Sequence, residues 1–402
     1  MGSAQRLLHH ALDGLQSGTV TIVDGGDRTV HGGGEPDVRI VVRDSAFYRR
    51  VVFGGVLGAG ESYMDGDWDC DDLVALVRLL ARDRRTQDDV ERRGMVAAVA
   101  NSLRHLARRN SRRGSTRNVA AHYDLGNDFF RLFLDERMMY SAAVFDAGCE
   151  SLDAASTAKI ERLCRKLRLA PGEDVLEIGG GWGGLAVHAA ERFGCRVTTA
   201  TLSRAQADYA RALVRERGLD GRVDVVLSDY RDLTGRFDKL VSVEMVEAVG
   251  HRFLPAYFRA CSRLLKPHGL LALQAITIRD QRYRQALRSV DFIKKHIFPG
   301  GFMPSVSVLV DAAARHTDAV LIDLEDLGQD YARTLHEWSR RFEARRADIA
   351  ALGFDERFLR RWRFYFAYCE GGFLERAISD VQMLFAMPEY RGPTRCSPGG
   401  MW

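Results

Sequence analysis

The segment Asp174–Gly184, with the sequence DVLEIGGGWGG, decides the fold class of this chain. It begins with a short apolar run, which predicts a buried strand over 174–178, and it continues into a glycine-rich turn. The apolar spacing that follows predicts a helix over 182–193. Glycines between a strand and a helix let the backbone turn sharply and approach a ligand closely. The segment therefore predicts a ligand site at the carboxyl end of a strand.

Strands and helices alternate through the residues that follow this turn. Further strands are predicted over 195–200, 223–227, 237–243 and 270–278, and further helices over 204–217 and 253–265. Repeated alternation of this kind predicts an α/β fold with a parallel, doubly wound, Rossmann-like sheet. Such a sheet binds its ligand beyond the carboxyl ends of the strands.

The position of the acidic residue distinguishes this glycine turn from other nucleotide sites. Glu177 precedes the glycines, and the stretch TATLS at 199–203, which ends the next strand, has no acid to bind a ribose. The Gly-Lys-Ser signature of a phosphate-binding loop is also absent. These features argue against a nicotinamide dinucleotide site and against a nucleoside triphosphatase.

Length and composition indicate an ordinary globular protein of two domains. The chain has 402 residues, 46% of them hydrophobic, and a net charge of +4. The polar stretch at 110–116 predicts a linker, which assigns residues 1–110 to a small N-terminal α+β domain, 111–121 to the linker and 122–402 to a second domain that contains the glycine turn. No apolar run is long enough for a membrane span, and no signal peptide is visible. Seven scattered cysteines favour a reducing cytosol and predict no metal site.

Arginine is concentrated in the segment 78–117 and again near 340–346 and 357–363. One interpretation is a solvated helix face with a polar linker. The other is contact with an anionic surface, and the absence of zinc-finger and RNP-like motifs then favours phospholipid headgroups over nucleic acid.

Seven short motifs occur in an order that is similar to the cyclopropane-fatty-acyl-phospholipid synthase family, which includes the mycolic acid methyltransferases. The resemblance covers roughly residues 50–390 and implies a class I S-adenosylmethionine (SAM) methyltransferase fold with a lipid-binding N-terminal domain. The motifs are HYDLGND at 122–128, MYS at 139–141, GGGWGG at 179–184, TLSRAQ at 201–206, DYRD at 229–232, VEAVG at 246–250 and IFPGG at 297–301.

The resemblance also implies which residues contact SAM. Asp229 and Tyr230 are expected beside the adenine, and the remaining positions beside the methionine and ribose parts. The expected cofactor-binding residues are Tyr123, Ser141, Gly179, Gly180, Gly181, Gly183, Thr201, Gln206, Asp229 and Tyr230.

The catalytic residues implied by the resemblance are Glu247, Tyr331, Gln274 and the backbone of Ile276. In the family, these positions and a cysteine after Tyr-Ser hold a bicarbonate ion that acts as the base. This sequence has Ala142 in place of that cysteine and Gln274 in place of a histidine. Alanine offers no side-chain donor whereas glutamine does, so the resemblance leaves open whether bicarbonate binds. Glu244 stands where many relatives have a small residue, and its role is left undecided.

The function implied is methylation of the double bond of an unsaturated acyl chain in a membrane phospholipid. The product is either a cyclopropane or a methylene or methyl-branched chain, the latter with a reductase partner. The segment at about 281–316 is expected to cover the acyl chain. We expect a cytoplasmic enzyme bound peripherally to the inner face of the membrane, with a homodimer among the open oligomeric states. The alternatives are a methyltransferase for small amines and a catalytically silent lipid-binding homologue.

Overall fold

The computed structural model describes residues 2–83, 125–146 and 148–393. The predicted linker at 111–121, the cofactor residue Tyr123 and most of the first arginine-rich segment lie outside these ranges. None of the helices in the described ranges combines the length and the apolar character that a bilayer crossing requires.

Strands and helices alternate along most of the described chain. The strands are β1 (Thr19–Asp24), β2 (Asp27–Gly32), β3 (Asp37–Val42), β4 (Trp68–Cys70), β5 (Asp174–Ile178), β6 (Arg196–Thr201), β7 (Val223–Leu227), β8 (Phe237–Val243), β9 (Leu265–Ile278), β10 (Val320–Asp326) and β11 (Ile378–Ala386). The helices are α1 (Ser3–Leu12), α2 (Ala46–Met64), α3 (Leu73–Arg82), α4 (Asn127–Arg131), α5 (Leu152–Lys166), α6 (Gly184–Phe193), α7 (Arg204–Glu216), α8 (Leu254–Leu264), α9 (Asp280–Arg288), α10 (Val306–His316), α11 (Gly328–Ala344), α12 (Arg346–Ala351) and α13 (Glu356–Leu374).

The chain divides into two compact units. One holds the described residues up to 83 together with Arg288–Pro299 and Leu335–Ile378, and the other holds the described residues of 125–287, Gly300–Thr334 and those from Ser379 onwards. This division differs from the predicted boundaries, which placed everything after residue 121 in the catalytic domain. The predicted insertion at 281–316 is likewise shared between the two units.

The N-terminal unit is built on a four-stranded sheet in the order β2-β1-β3-β4. Strand β1 pairs parallel with β3 and antiparallel with β2. The segment Leu335–Ile378 belongs to this unit because its helix α13 is rich in aromatic residues that pack there. The ring centroid of Phe364 lies 5.9 Å from that of Tyr63 and 4.7 Å from that of Phe292. Arg360 on the same helix donates to Asp69 at 2.8 Å and lies 4.0 Å above the Tyr63 ring. In the sequence, the stretch FYFAYCE at 364–370 is dense in aromatic residues at helical spacing, but this pattern does not reveal what the helix packs against.

The second unit, which holds the predicted catalytic residues and is called the catalytic unit below, is built on a seven-stranded sheet in the order β10-β11-β9-β8-β5-β6-β7. Neighbouring strands from β9 to β7 are parallel, and β10 pairs antiparallel with β11 at the edge. The predicted strands 174–178, 223–227 and 237–243 are confirmed to the residue. The sheet is doubly wound because neighbours on β5 belong to different cores: Val175 packs with residues of α5 to α7, and Leu176 with residues of α8 and α10.

Candidate active site

The glycine turn follows β5 and leads into α6. Gly179, Gly181 and Gly183 have φ angles of +89°, +53° and +88°, which side chains rarely adopt. The N–H groups of Gly179 and Gly180 both donate to the carbonyl oxygen of Ala200 on β6, at 2.9 and 3.0 Å. The turn is therefore fixed to the neighbouring strand and ends at the first turn of a helix.

Gly180 has no room for a side chain. A Cβ atom there would lie 1.7 Å from Oγ1 of Thr199 and 3.0 Å from Oε2 of Glu177. These two atoms form a hydrogen bond in which the Thr199 hydroxyl donates at 2.6 Å. Burial raises the pKa of Glu177 to about 7, although the Thr199 bond and the charge of Lys159 act in the opposite direction. The acid before the glycines is thus a buried support for the turn.

The other predicted cofactor residues nearby have polar partners. Thr201 donates to Oε1 of Gln206 at 2.8 Å, and Gln206 lies in the first turn of α7, which is capped by Ser203. The Ser141 hydroxyl accepts from Nζ of Lys159 at 2.8 Å. These contacts hold the side chains of Thr201, Gln206 and Ser141 in defined orientations.

Asp229 and Tyr230 lie beyond β7. Nη2 of Arg231 forms an ion pair with Oδ2 of Asp229 at 2.6 Å. The Tyr230 ring packs edge-on against Tyr257 with 5.5 Å between centroids, and Arg231 lies 5.3 Å above its face. Tyr230 is therefore a core residue as well as a predicted adenine contact.

A cluster of carboxyl groups lies at the carboxyl ends of β8 and β9. It draws on distant parts of the sequence, because its members come from the end of β8, from β9, from α11 and from β11. All of them are buried or nearly so. We call this group the carboxyl cluster, and its members are Glu244, Glu247, Gln274, Tyr331, Asp380 and Gln382.

Glu244 is the centre of the carboxyl cluster. Its Oε1 accepts from the backbone N–H of Ala142 at 2.8 Å and from Nε2 of Gln274 at 2.9 Å. Its Oε2 accepts from the hydroxyl of Tyr331 at 2.7 Å. The φ angle of Glu244 is +46°, a conformation that favours glycine. The carboxylate is thus held by three donors in spite of an unfavourable backbone conformation.

Glu247 lies one turn further along the chain. Its Oε1 accepts from the N–H of Ile276 at 2.5 Å, whereas its buried Oε2 has no hydrogen-bond partner within the described part of the chain. Burial, reinforced by the charge of Glu244, raises the pKa of Glu247 to about 8. At neutral pH this carboxyl group is therefore mostly protonated.

Asp380 and Lys159 complete the electrostatics of the region. Nε2 of Gln274 donates to Oδ2 of Asp380 at 2.9 Å, and Oδ1 of Asp380 is buried with no partner among the described residues. Burial and the neighbouring Glu244 and Glu247 raise the pKa of Asp380 well above its ordinary value. Burial lowers the pKa of Lys159, while Glu244 and other acids act to raise it. We assign the negative charge of the cluster to Glu244, because it alone accepts three hydrogen bonds.

Met245 connects the carboxyl cluster to the glycine turn. Its Cγ atom lies 2.7 Å from the position that a Cβ atom of Gly179 would occupy. Met245 follows Glu244 directly in the sequence and precedes Glu247 by two residues. The predicted cofactor turn and the buried acids are therefore neighbours at the same edge of the sheet.

The predicted catalytic positions are brought together, and others join them. Gln274 and Tyr331 both donate to Glu244, and the N–H of Ile276 donates to Glu247, three residues further along the chain. The sequence analysis missed Asp380, Gln382 and Lys159. The signal for the first two was an acid and an amide within the otherwise apolar strand ISDVQMLFA of β11.

The bicarbonate ion implied by the resemblance does not fit this network. The donors found at the expected positions are the backbone N–H of Ala142, which replaces the cysteine, the side chain of Gln274, the hydroxyl of Tyr331 and the N–H of Ile276. The first three donate to Glu244 and the last to Glu247. The carboxylate of Glu244 thus takes the hydrogen bonds that an added anion would need.

The doubly wound seven-stranded sheet and the glycine turn after its first strand define a class I SAM-dependent methyltransferase. The residues fit SAM, because Gly181 has a φ of +53° and no heavy atom of the described residues within 4 Å of its Cβ position, which leaves open backbone at a strand end. Residues 110–383 match the family model of mycolic acid cyclopropane synthetase. The chain belongs to this family of cyclopropane synthases and related methyltransferases, which use SAM to modify lipid acyl chains.

Three relatives show the extent of the similarity. The tuberculostearic acid methyltransferase UfaA1 of Mycobacterium tuberculosis is 40% identical over 358 residues, which is 86% of this chain and 83% of the relative. The cyclopropane-fatty-acyl-phospholipid synthase of Escherichia coli is 36% identical over 369 residues, or 89% of each chain. The crystal structure of the mycolic acid cyclopropane synthase CmaA1 with SAH and CTAB has a TM-score of 0.63 and 31% identity, and covers 67% of this chain and 98% of CmaA1.

Proposed function

We propose that this protein methylates the carbon–carbon double bond of unsaturated fatty acyl chains in membrane phospholipids. The product carries either a cyclopropane ring or a methylene branch, which a reductase partner would convert to a methyl branch. The observation that carries the proposal is the buried carboxyl cluster beside the glycine turn. The names of two relatives, a tuberculostearic acid methyltransferase and a cyclopropane-fatty-acyl-phospholipid synthase, support both outcomes.

The chemistry of an alkene explains why a buried acid cluster suits this reaction. When bound, SAM supplies an electrophilic methyl group. An alkene is a weak nucleophile, so the protein must hold it in line with that methyl group. An alkene that accepts a methyl group becomes positively charged, and water would trap it, so the site must be dry. The buried negative charge of Glu244 and the unpaired oxygen of Glu247 are suited to stabilise positive charge in such a site.

The two products share every step up to the loss of a proton. If the new methyl group loses a proton directly, its bonding pair closes the ring. If a hydride shifts first, the same loss leaves a methylene branch. The identity of the product therefore depends on how the chain is held after methyl transfer, and the proposal includes both products.

The lipid substrate implies a membrane partner. We propose peripheral binding to the anionic cytoplasmic face, through basic residues and the N-terminal unit, with the acyl chain drawn from the bilayer. A structural relative that was crystallised with CTAB, a surfactant with a long alkyl chain, supports an apolar chain as the substrate. Liposome flotation at increasing salt tests this point, because screening should weaken the binding.

The decisive experiment supplies labelled SAM and liposomes of a monounsaturated anionic phospholipid, followed by mass spectrometry and NMR of the released acyl chains. We expect the acyl mass to rise by one methylene unit, with NMR distinguishing ring from branch. Liposomes of the matched saturated phospholipid are the control and should remain unmodified. Absence of any addition to the acyl chain would contradict the proposal. Transfer of label to a soluble amine instead would favour the amine methyltransferase alternative.

A further inference from the structure

We propose that the carboxylate of Glu244 is the built-in proton acceptor of this enzyme and replaces an exogenous anion as the base. The inference rests on the proposed function, because it concerns the proton that olefin methylation releases. It adds a residue to which the family resemblance gives no role.

The proposed step balances without any further reactant. The π pair of the alkene forms a bond to the methyl carbon, and the carbon–sulfur bond breaks with its pair remaining on sulfur. A C–H bond of the new methyl group then breaks. Its pair closes the three-membered ring, or forms the methylene double bond after a hydride shift. The proton passes to an oxygen of Glu244, and it returns to solvent when the product leaves.

The hydrogen bonds around Glu244 are those of an anion site that is already filled. Three donors converge on its two oxygens, from Ala142, Gln274 and Tyr331, at 2.7 to 2.9 Å. Both amide protons of Gln274 are used, one by Glu244 and one by Asp380. A carboxylate has about four lone-pair positions, so Glu244 retains room to accept one proton.

The other acids of the carboxyl cluster are less suited to the role. Glu247 and Asp380 each have a buried oxygen with no partner in the described ranges, so a negative charge on either is stabilised by fewer hydrogen bonds than on Glu244. A protonated acid cannot accept the substrate proton. Burial raises the pKa of Glu244, but its three hydrogen bonds and the charge of Lys159 act in the opposite direction and favour the charged form.

The backbone of Glu244 suggests how to test the idea. Its φ angle of +46° suits glycine, so the variant Glu244→Gly relieves backbone strain and opens a space lined by the same three donors. A small anion such as bicarbonate or formate would find those donors free. The variant Glu244→Gln keeps the side-chain volume but removes the basic oxygen, and leaves no such space.

The experiment measures acyl methylation by the full-length wild type and both variants, in buffer freed of carbon dioxide and then with added bicarbonate or formate. We expect wild-type activity to be unchanged by bicarbonate. We expect Glu244→Gln to lose about 10²- to 10⁴-fold in kcat, the usual contribution of a general base. Glu244→Gly should fall to a similar level and recover at least about tenfold with either anion, whereas Glu244→Gln should not recover.

Two further measurements separate chemistry from folding. SAM affinity by calorimetry should match the wild type in both variants, and each variant should still unfold in one cooperative transition. If either variant misfolds, the wild-type response to bicarbonate removal still decides, because a built-in base predicts no response. The inference is overturned if wild-type activity falls when bicarbonate is removed, or if folded Glu244→Gln keeps its activity. A wild type that methylates no acyl chain in any buffer would instead refute the proposed function, and the inference with it.

Discussion

The glycine turn and the carboxyl cluster lie side by side but are built in opposite ways. The turn comes from one continuous stretch, residues 179–184, in which Gly179 and Gly180 donate to the adjacent strand β6 and the Trp182 side chain donates to Asn127. The carboxyl cluster joins side chains from β8, β9, α11 and β11, which are far apart in the sequence. The turn follows the family pattern, whereas the cluster departs from it at Ala142 and Gln274.

This difference separates two tasks of the enzyme. Every SAM-dependent enzyme of this fold binds the same cofactor, so a local, tightly packed turn suffices. Handling a proton next to an apolar chain depends on which buried group carries charge, and that is set by the whole environment. We therefore expect substitutions in the turn to act through packing and cofactor affinity, and substitutions in the cluster to act through charge and pH.

The largest effect is expected for Gly180→Ala. Its Cβ would lie 1.7 Å from Oγ1 of Thr199, so the turn or β6 must shift. We expect SAM affinity to fall at least about 100-fold and the free energy of unfolding to fall by about 3 kcal/mol. Gly221→Ala is the matched control, because no heavy atom lies within 4 Å of the Cβ position there. If calorimetry gave Gly180→Ala a SAM affinity within threefold of the wild type, a difference in binding free energy of only about 0.6 kcal/mol, the packing argument would be contradicted.

A smaller effect, visible only as a function of pH, is expected for Glu247→Gln. Because the folded-state pKa of Glu247 is about 8, the native protein keeps a proton that the unfolded chain loses near pH 4.5. Wild-type stability should therefore fall as the pH rises through this window, and the variant should lack that part of the slope. We expect the variant to gain about 2.5 kcal/mol over the wild type between pH 5 and pH 7, measured by urea unfolding.

The charge of Glu244 provides the control for that measurement. Since this charge helps to raise the pKa of Glu247, the pH dependence should become shallower in Glu244→Gln as well. Parallel stability curves for the wild type and Glu247→Gln across this pH range would show that Glu247 titrates normally. The contribution of the carboxyl cluster to stability would then depend on packing alone, as we expect for the glycine turn.

The smallest effect is expected for Thr199→Val beneath the glycine turn. The variant removes the hydroxyl that donates to Glu177 at 2.6 Å, but keeps the shape of the side chain. We expect a loss of about 1 kcal/mol in the free energy of unfolding, as for a typical buried hydrogen bond. Thr198→Val on the same strand is the control and should leave stability nearly unchanged. A loss equal to that of the control would mean that Glu177 does not depend on this bond.

Much of the catalytic unit was predictable because its signals are local. Short apolar runs and glycine turns placed β5, β7 and β8 to the residue. The strands β10 and β11 were missed, since they pair antiparallel with each other and follow no strand–helix alternation. The packing of α13 with the N-terminal unit was also missed, because an aromatic helix face does not reveal its partner.

Sequence alone determined the fold class and the glycine turn, and it named four predicted catalytic residues that the structure brings close together, because each depends on residues that are near one another in the chain or on a motif shared with a family. Only the tertiary structure decided where the negative charge lies. The donors from Ala142, Gln274 and Tyr331 meet Glu244 only when β8, β9 and α11 are assembled. Burial and hydrogen bonding then distinguish one carboxylate from its neutral neighbours. This difference depends on contacts between residues that are far apart in the chain, so it cannot be read from the local sequence.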